Sequence, residues 1–212
     1  MKHTFFIKDW LNSFLSLLFP HCCVVCGRPL AKGEECLCIM CNINLPRTNY
    51  HLRKDNPVER LFWGQIPLER ATSFFFYRKG SDFRQILHQL KYGGKKEVGI
   101  IMGRYMAAEL SDSGFFEGVD VIIPIPLHKK KQQIRGYNQS ECIARGIAAV
   151  TGITVCVESV VRRKNTETQT RKSVFERWEN VDGIFELNHA DSLTGKHILI
   201  VDDVLTTGAT TI

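Results

Sequence analysis

One stretch of this sequence constrains the fold more than any other. Residues 198–201 form an unbroken apolar run, which is followed at once by Asp202 and Asp203 and then by small and hydroxyl residues. An apolar run without alternation is typical of a strand buried on both faces of a parallel sheet. Because ligands bind beyond the carboxyl ends of strands in open α/β sheets, the run predicts both the kind of sheet and the position of a site.

The residues after the acidic pair have the chemistry of a phosphate-binding loop, whose members are Thr206, Thr207, Gly208, Ala209 and Thr210. Such a loop can turn backbone N–H groups and hydroxyls toward a phosphate, since Gly208 tolerates unusual dihedral angles. Phosphate repels carboxylates, so we expect Asp202 and Asp203 to accept hydrogen bonds from sugar hydroxyls instead. The sequence lacks G-x-x-x-x-G-K-[ST] and G-x-G-x-x-G, which argues against a P-loop NTPase and a Rossmann dehydrogenase.

The rest of the chain alternates between strand-like and helix-like patterns. A second segment, 119–123, is apolar apart from Asp120 and is ended by Pro124 and Pro126, as expected of another buried strand. Further strands are predicted at 72–77 and 153–157, and the first apolar run gives the last strand, 197–201. Helices are predicted at 7–18, 83–90, 97–110 and from Ser140, the last with Ile143, Ile147 and Val150 facing inward. This alternation predicts an α/β domain with a mainly parallel sheet flanked by helices.

Cysteines predict a metal module near the N-terminus. The chain has eight, and those crowded into one short stretch are Cys22, Cys23, Cys26, Cys36, Cys38 and Cys41. Two C-x-x-C pairs, Cys23 with Cys26 and Cys38 with Cys41, can complete a tetrahedral shell of four sulfurs. A closed four-thiolate shell favours a structural zinc ion in a small zinc-ribbon-like module. An iron or iron–sulfur centre stays open, because Cys22 or Cys36 could replace a ligand or support a cluster.

Three segments are predicted. Residues 1–45 hold the N-terminal helix and cysteine module, 46–60 are polar and suit a linker, and 61–212 form the α/β domain. The net charge of +6 favours an anionic partner but is modest for a dedicated DNA-binding protein. No signal peptide or membrane span is recognisable in the sequence, and we expect a cytoplasmic protein.

The run 198–210 closely resembles the phosphoribosyl-diphosphate (PRPP) motif of type I phosphoribosyltransferases. That resemblance assigns the ribose hydroxyls to Asp202 and Asp203, as the catalytic pair, and the 5′-phosphate to the residues from Thr206 to Thr210. It implies a phosphoribosyltransferase-like fold, with Mg²⁺ accompanying PRPP.

A longer series of motifs is similar to the ComF family. In order these are Cys23-x-x-Cys26-Gly27, Cys38-x-x-Cys41, Ile123-Pro-Ile-Pro-Leu127, Arg135-Gly-Tyr-Asn-Gln139, Thr168-Gln169, Glu176-Arg177 with Asn180, and the acidic pair with Thr-Thr-Gly. The resemblance covers nearly the whole chain and implies a link to DNA uptake in natural transformation, with the uptake machinery as partner. The family pattern continues beyond the phosphate loop through a helix and a strand, so we expect the chain to be incomplete at its C-terminus.

Two basic stretches suit this resemblance. Such transferases place a diphosphate-binding loop at the position of Lys129, Lys130 and Arg135. They have a loop that closes over PRPP at the position of Arg162 and Arg163. A solvated basic face is the alternative explanation of each stretch.

Three functions follow. The chain is a phosphoribosyltransferase with an undefined acceptor, or a non-catalytic PRPP-regulated module that binds single-stranded DNA, or a protein that handles metals or clusters. The DNA hypothesis uses basic and aromatic residues beside the module, namely Arg47, Tyr50, His51, Arg53 and Lys54, which an ordinary linker would also contain.

Overall fold

A computed structural model describes residues 20–163 and 184–206 of the chain. They divide between two compact units, one within Met1–Pro46 and Tyr77–Ile86 and the other within Arg47–Phe76 and Leu87–Ile212. The predicted helix at 7–18 lies outside the described residues. So do Thr207, Gly208, Ala209 and Thr210 of the predicted phosphate loop.

The helices and strands follow the predicted alternation. The helices are α1 (Ile39–Ile43), α2 (Pro57–Arg60), α3 (Arg84–Tyr92), α4 (Lys96–Ser111), α5 (Lys129–Arg135) and α6 (Gln139–Thr151). The strands are β1 (Val121–Pro124), β2 (Thr154–Val155), β3 (Val160–Arg162), β4 (Phe185–Leu187) and β5 (Ile198–Val201). Short 3-10 helices cover Tyr50–Leu52 and Ala190–Leu193.

A three-stranded parallel sheet lies at the centre of the larger unit. Its order is β2-β1-β5, with Val121 of β1 opposite Thr154 of β2 and Ile198 of β5. All of β1 is buried, as its apolar run predicts. In contrast, Ile200 of β5 is 47% exposed, because β5 is the last strand in the order that the described residues form. A separate antiparallel pair joins β3 to β4.

The core of this unit lies between the sheet and two helices. Ile122 and Val201 from the sheet pack with Ala107 of α4 and with Ala144 and Ile147 of α6. The parallel sheet flanked by helices confirms the α/β class. It also brings the carboxyl ends of β1 and β5 together, since Pro124 lies opposite Val201.

Two glycines let α4 and α6 approach each other closely. A Cβ atom on Gly103 would lie 2.2 Å from the Ile143 carbonyl oxygen, and one on Gly146 would lie 2.1 Å from the Ile100 carbonyl oxygen. Neither distance is compatible with a side chain, because the obstructing atoms belong to the backbone. The start of α6, which carries part of the site described below, is therefore held firmly against α4.

Some predictions differ from the structure. The strand predicted at 72–77 is reduced to a single bridge between Arg47 and Phe75. Val150 is 45% exposed, because it lies in the last turn of α6, at the end of the helix. Residues 129–135 form helix α5, and the side chain of its N-cap, His128, accepts a hydrogen bond from the Lys130 N–H group. The predicted basic loop is therefore helical here.

The segment predicted as a linker contains regular elements. Asn56 caps α2, its side chain accepting from the N–H groups of Val58 and Glu59, and the Glu59 carboxylate accepts from the Asn56 N–H group in return. Asn56 also donates to the Ala71 carbonyl at 2.9 Å. This reciprocal cap stabilises a one-turn helix that propensity alone would not support.

Candidate functional site

Four cysteines converge in the smaller unit. One sulfur from each of Cys23, Cys26, Cys38 and Cys41 lies within 4.8 Å of the other three, and the Sγ atoms of Cys26 and Cys38 are 3.7 Å apart. Tetrahedral coordination with Zn–S bonds of about 2.3 Å places sulfurs about 3.8 Å apart. The donor set therefore fits one tetrahedral ion, and zinc suits it well.

The backbone explains why these sulfurs meet. The Gly27 N–H group donates to the Cys23 carbonyl at 2.9 Å, and Gly27 adopts φ of 73°, so the first pair lies in a tight turn. The second pair is helical, because Cys38 is the N-cap of α1 and Cys41 lies one turn later. The zinc-ribbon-like module predicted from the sequence thus has a turn at its first cysteine pair and a helix at its second. Both arrangements bring the two thiols together, because residues at i and i+3 lie on the same face of a helix.

The neighbouring cysteines stand outside this set. Cys22 is exposed and donates weakly to the Pro20 carbonyl at 3.4 Å. Cys36 is buried, and its sulfur is not one of the four that lie within 4.8 Å of one another. An iron–sulfur cluster spreads its thiolates over several iron atoms, whereas these four sulfurs are spaced for a single ion.

A second candidate site lies where β1 and β5 end. Asp202 follows β5 directly, and its Oδ1 atom accepts hydrogen bonds from the Ser140 hydroxyl at 3.1 Å and from the Asp203 N–H group at 2.8 Å. Ser140 belongs to the first turn of α6. The acidic pair predicted from the sequence is thus at the carboxyl edge of the parallel sheet, fixed by the helix that packs on it.

The turn before α6 holds the two strand ends together. The Asn138 side chain caps α6 by accepting from the Ser140 N–H group at 3.2 Å, and it donates to the Ile125 carbonyl at 2.9 Å. The Ile125 N–H group in turn donates to the Val201 carbonyl at 2.9 Å. Asn138 and Ser140 therefore position the acidic pair, a role that the sequence analysis missed although Asn before a helix is a recognisable cap signal.

Asp202 and Asp203 have different environments. Burial, with the Asp203 charge adding to it, raises the pKa of Asp202 to about 6. Asp203 is paired with Lys91 of α3, whose Nζ atom lies 2.9 Å from Asp203 Oδ2. Lys91 was also missed, because a single lysine on an amphipathic helix gives no sequence signal of its partner.

The buried acid predicts a pH dependence of stability. Because the pKa of Asp202 is raised to about 6, the folded protein retains a proton between about pH 4 and 6 that the unfolded chain releases. The stability contribution of this proton is full below about pH 4 and is lost as pH rises through 6, an effect of about 3 kcal/mol.

Asp202→Asn should remove this dependence. The amide oxygen can still accept from Ser140 and from the Asp203 N–H group, so we expect the variant to be about 1–3 kcal/mol more stable than the wild type at pH 7.5. Below pH 4 the two should be equal. Urea denaturation at both pH values checks this, with the exposed Asp112→Asn as control; equal stability of Asp202→Asn and wild type at pH 7.5 would contradict it.

The basic candidates occupy different positions. Lys129 and Lys130 are exposed on α5, whereas Arg135 at its end donates to the Gln139 side chain at 2.7 Å and stacks over the Tyr92 ring at 5.6 Å. The Arg162 guanidinium stacks over the Phe185 ring. Burial lowers the pKa of Arg162, and the Asp202 charge partly offsets this effect. Arg163 pairs with Glu186. Of these candidates, Arg162 interacts electrostatically with Asp202, and it ends strand β3 where a loop was predicted. Arg135 contacts Gln139, the residue before Ser140.

The residues assigned to the DNA hypothesis are only partly available. Arg47 is paired with Glu109 at 2.6 Å, and His51 is buried. Tyr50 packs edge to face with Phe76, and Arg53 and Lys54 are exposed. A more exposed aromatic is Trp63, at 59%, with the Arg60 guanidinium 5.6 Å from its ring centre.

Among the helices of the described residues, none has the length and apolar character that crossing a bilayer requires.

Comparison with known proteins gives relatives over most of the chain. DNA utilization protein YhgH from Shigella flexneri is 29% identical over 209 residues, covering 92% of this chain and 88% of the relative. Competence protein ComFC from Bacillus subtilis is 26% identical over 203 residues, covering 94% of this chain and 72% of the relative. Competence protein F from Haemophilus influenzae is 34% identical over 92 residues, covering 43% and 40%. No protein-family model matches the chain, and no solved structure matches it significantly.

The molecule is thus an α/β protein with a four-cysteine centre and an acidic pair at the carboxyl edge of its parallel sheet. Its relatives are proteins named for competence and for DNA utilization, and the resemblance to the ComF family is confirmed by them.

Proposed function

We propose that this chain binds PRPP through Asp202 and Asp203 and the loop from Thr206 to Thr210, in a type I phosphoribosyltransferase-like fold. The observation that carries the proposal is the acidic pair at the joined ends of β1 and β5, where open α/β sheets bind ligands. Asp202 has one carboxylate oxygen engaged by Ser140 and the Asp203 N–H group. Its other oxygen and Asp203 are then suited to accept from the ribose 2′ and 3′ hydroxyls.

The reaction that such a site supports is phosphoribosyl transfer. The bond between ribose C1 and the diphosphate oxygen breaks, the acceptor forms a bond to C1, and the acceptor loses a proton. Mg²⁺ bound with PRPP would neutralise charge on the departing diphosphate. The protein contributes by orienting the ribose with its two carboxylates, and Arg135 and Arg162 are the basic candidates for the diphosphate side.

The names of the relatives support a role in DNA uptake or utilization. On this basis we propose PRPP as substrate or regulatory ligand of a protein that serves the DNA-uptake machinery. A non-catalytic module that binds single-stranded DNA is the second candidate, with Trp63 and Arg60 as a stacking platform beside exposed Arg53 and Lys54. Asp55 and Glu59 line the groove next to Trp63 and weigh against it.

Calorimetry with Mg²⁺ tests the proposal. Wild type should bind PRPP, and Asp202→Asn/Asp203→Asn should bind at least about 100-fold more weakly, because two charge-assisted hydrogen bonds are lost. Asp112→Asn, an exposed acid elsewhere, should bind like wild type. Absence of PRPP binding by the wild type would overturn the proposal.

Activity and DNA-binding assays on the wild type and its variants distinguish an enzyme from a binding module. Diphosphate release from PRPP in the presence of nucleobases or nucleic acid supports transfer, whereas PRPP binding without release supports a regulatory ligand. Affinity for an oligothymidylate that falls steeply with salt and is lost in Trp63→Ala would favour the DNA-binding candidate.

A further inference from the structure

The acidic pair poses an electrostatic problem for the ligand proposed above. PRPP carries phosphate groups, and Asp202 and Asp203 would face it with two carboxylates at the end of one strand. The phosphates of the ligand and the two carboxylates would repel each other, and a cation between or beside them would offset this repulsion. A residue of the chain that supplies this cation would decide whether the site accepts an anionic sugar.

Lys91 is placed to do so. Its ammonium lies 2.9 Å from Asp203 Oδ2, with the Lys91 side chain 23% exposed and that of Asp203 15% exposed. The pair is therefore screened by water less than a surface ion pair would be. Burial and Asp203 raise the pKa of Asp202, and the Lys91 charge acts against them, which indicates that its field reaches both carboxylates.

The backbone that carries Lys91 is fixed on both sides. The Leu90 carbonyl accepts a hydrogen bond from the Tyr137 hydroxyl at 2.7 Å, and Tyr92 lies under the Arg135 guanidinium. Leu90 itself is fully buried. Tyr137 directly precedes Asn138 and is close in the chain to Ser140, so one segment positions the last turn of α3 and also Asp202.

We infer that Lys91 is the residue that makes this site accept an anionic sugar, because its ammonium holds Asp203 in place and offsets the repulsion between the acidic pair and the phosphates of the ligand. The inference rests on the proposed function and names the residue that lets the PRPP site accept a negatively charged ligand. A lysine serves this purpose well, since its long stem lets the ammonium adjust between the carboxylate and an incoming phosphate.

The test compares Lys91→Met, which keeps the stem and removes the charge, with Lys91→Arg, which keeps the charge. Lys95→Met, an exposed lysine four positions on, is the matched control. By calorimetry with PRPP and Mg²⁺, Lys91→Met should bind about 10- to 100-fold more weakly than wild type. Lys91→Arg should stay within about threefold of wild type, and Lys95→Met should be unchanged.

The salt dependence of PRPP affinity distinguishes a loss of charge at Lys91 from a structural effect of the substitution. Wild-type affinity should fall more steeply with NaCl than that of Lys91→Met, because the attractive charge that salt screens is missing in the variant. Equal affinities and equal salt slopes for wild type and Lys91→Met would overturn the inference while leaving PRPP binding intact. Failure of the wild type to bind PRPP would instead overturn the proposed function, and this inference with it.

Discussion

Cys26→Ser should lose the bound metal and unfold the smaller unit, although Cys26 is exposed and contributes little to packing. An exposed substitution ordinarily changes stability by no more than about 0.5 kcal/mol. A structural zinc site, by contrast, contributes about 10 kcal/mol or more to folding, and removing one thiolate opens its closed shell. The two expectations differ so widely that one variant separates them.

The matched control is Cys22→Ser, which makes the same substitution at an exposed cysteine outside the four. We expect one zinc per chain in wild type and Cys22→Ser, measured by elemental analysis, and none in Cys26→Ser. Limited proteolysis should cut Cys26→Ser within residues 20–46 and spare the control. Retention of metal by Cys26→Ser would show that the cluster is not the ligand set, and visible absorbance of anaerobically purified protein would reveal iron–sulfur chemistry instead.

Gly146→Ala should destabilise the larger unit by about 3 kcal/mol or more. Helix propensity alone predicts the opposite sign, since alanine is favoured over glycine within a helix by about 1 kcal/mol. A Cβ atom at this position would lie 2.1 Å from the Ile100 carbonyl oxygen, so α4 and α6 would have to move apart. Overpacking of this kind, against backbone, costs at least as much as an extra methylene in a core.

Ala149→Gly is the control for Gly146→Ala, because it removes one methyl group from an exposed position of the same helix. Propensity predicts a loss of about 1 kcal/mol there. Urea denaturation of both variants tests the packing, with Gly146→Ala expected to be the less stable. A stabilised Gly146→Ala would mean that the helices are not in close contact at this point.

Local patterns account for what the sequence predicted well. The buried strand Val121–Pro124, the amphipathic helix Arg84–Tyr92 and the two C-x-x-C pairs each encode their structure within a few residues. Strand burial and thiolate spacing are properties of the residues themselves, so neighbouring sequence is enough to recognise them.

Features that depend on distant partners were missed. Lys91 meets Asp203 across more than a hundred residues, and the β3 and β4 strands pair across the polar stretch between them. Residues 46–60 read as linker because their order comes from the Asn56 cap and its bond to Ala71, not from an apolar pattern. Residues 72–77 have the composition of a strand, but within the described residues they form only one bridge, between Phe75 and Arg47. A strand needs a neighbouring strand to pair with, which local composition does not reveal.

The turn at Asn138 to Ser140 has a consequence for how such a chain can vary. It ties the end of β1 to the end of β5 within three residues, so the acidic pair depends little on the length of the connection that precedes it. Residues 129–134 are mostly exposed, and Ile134 projects 85% of its surface into solvent. The exposed side chains of this helix can therefore vary with little effect on the core, which would let this surface be reshaped while the carboxylates keep their positions.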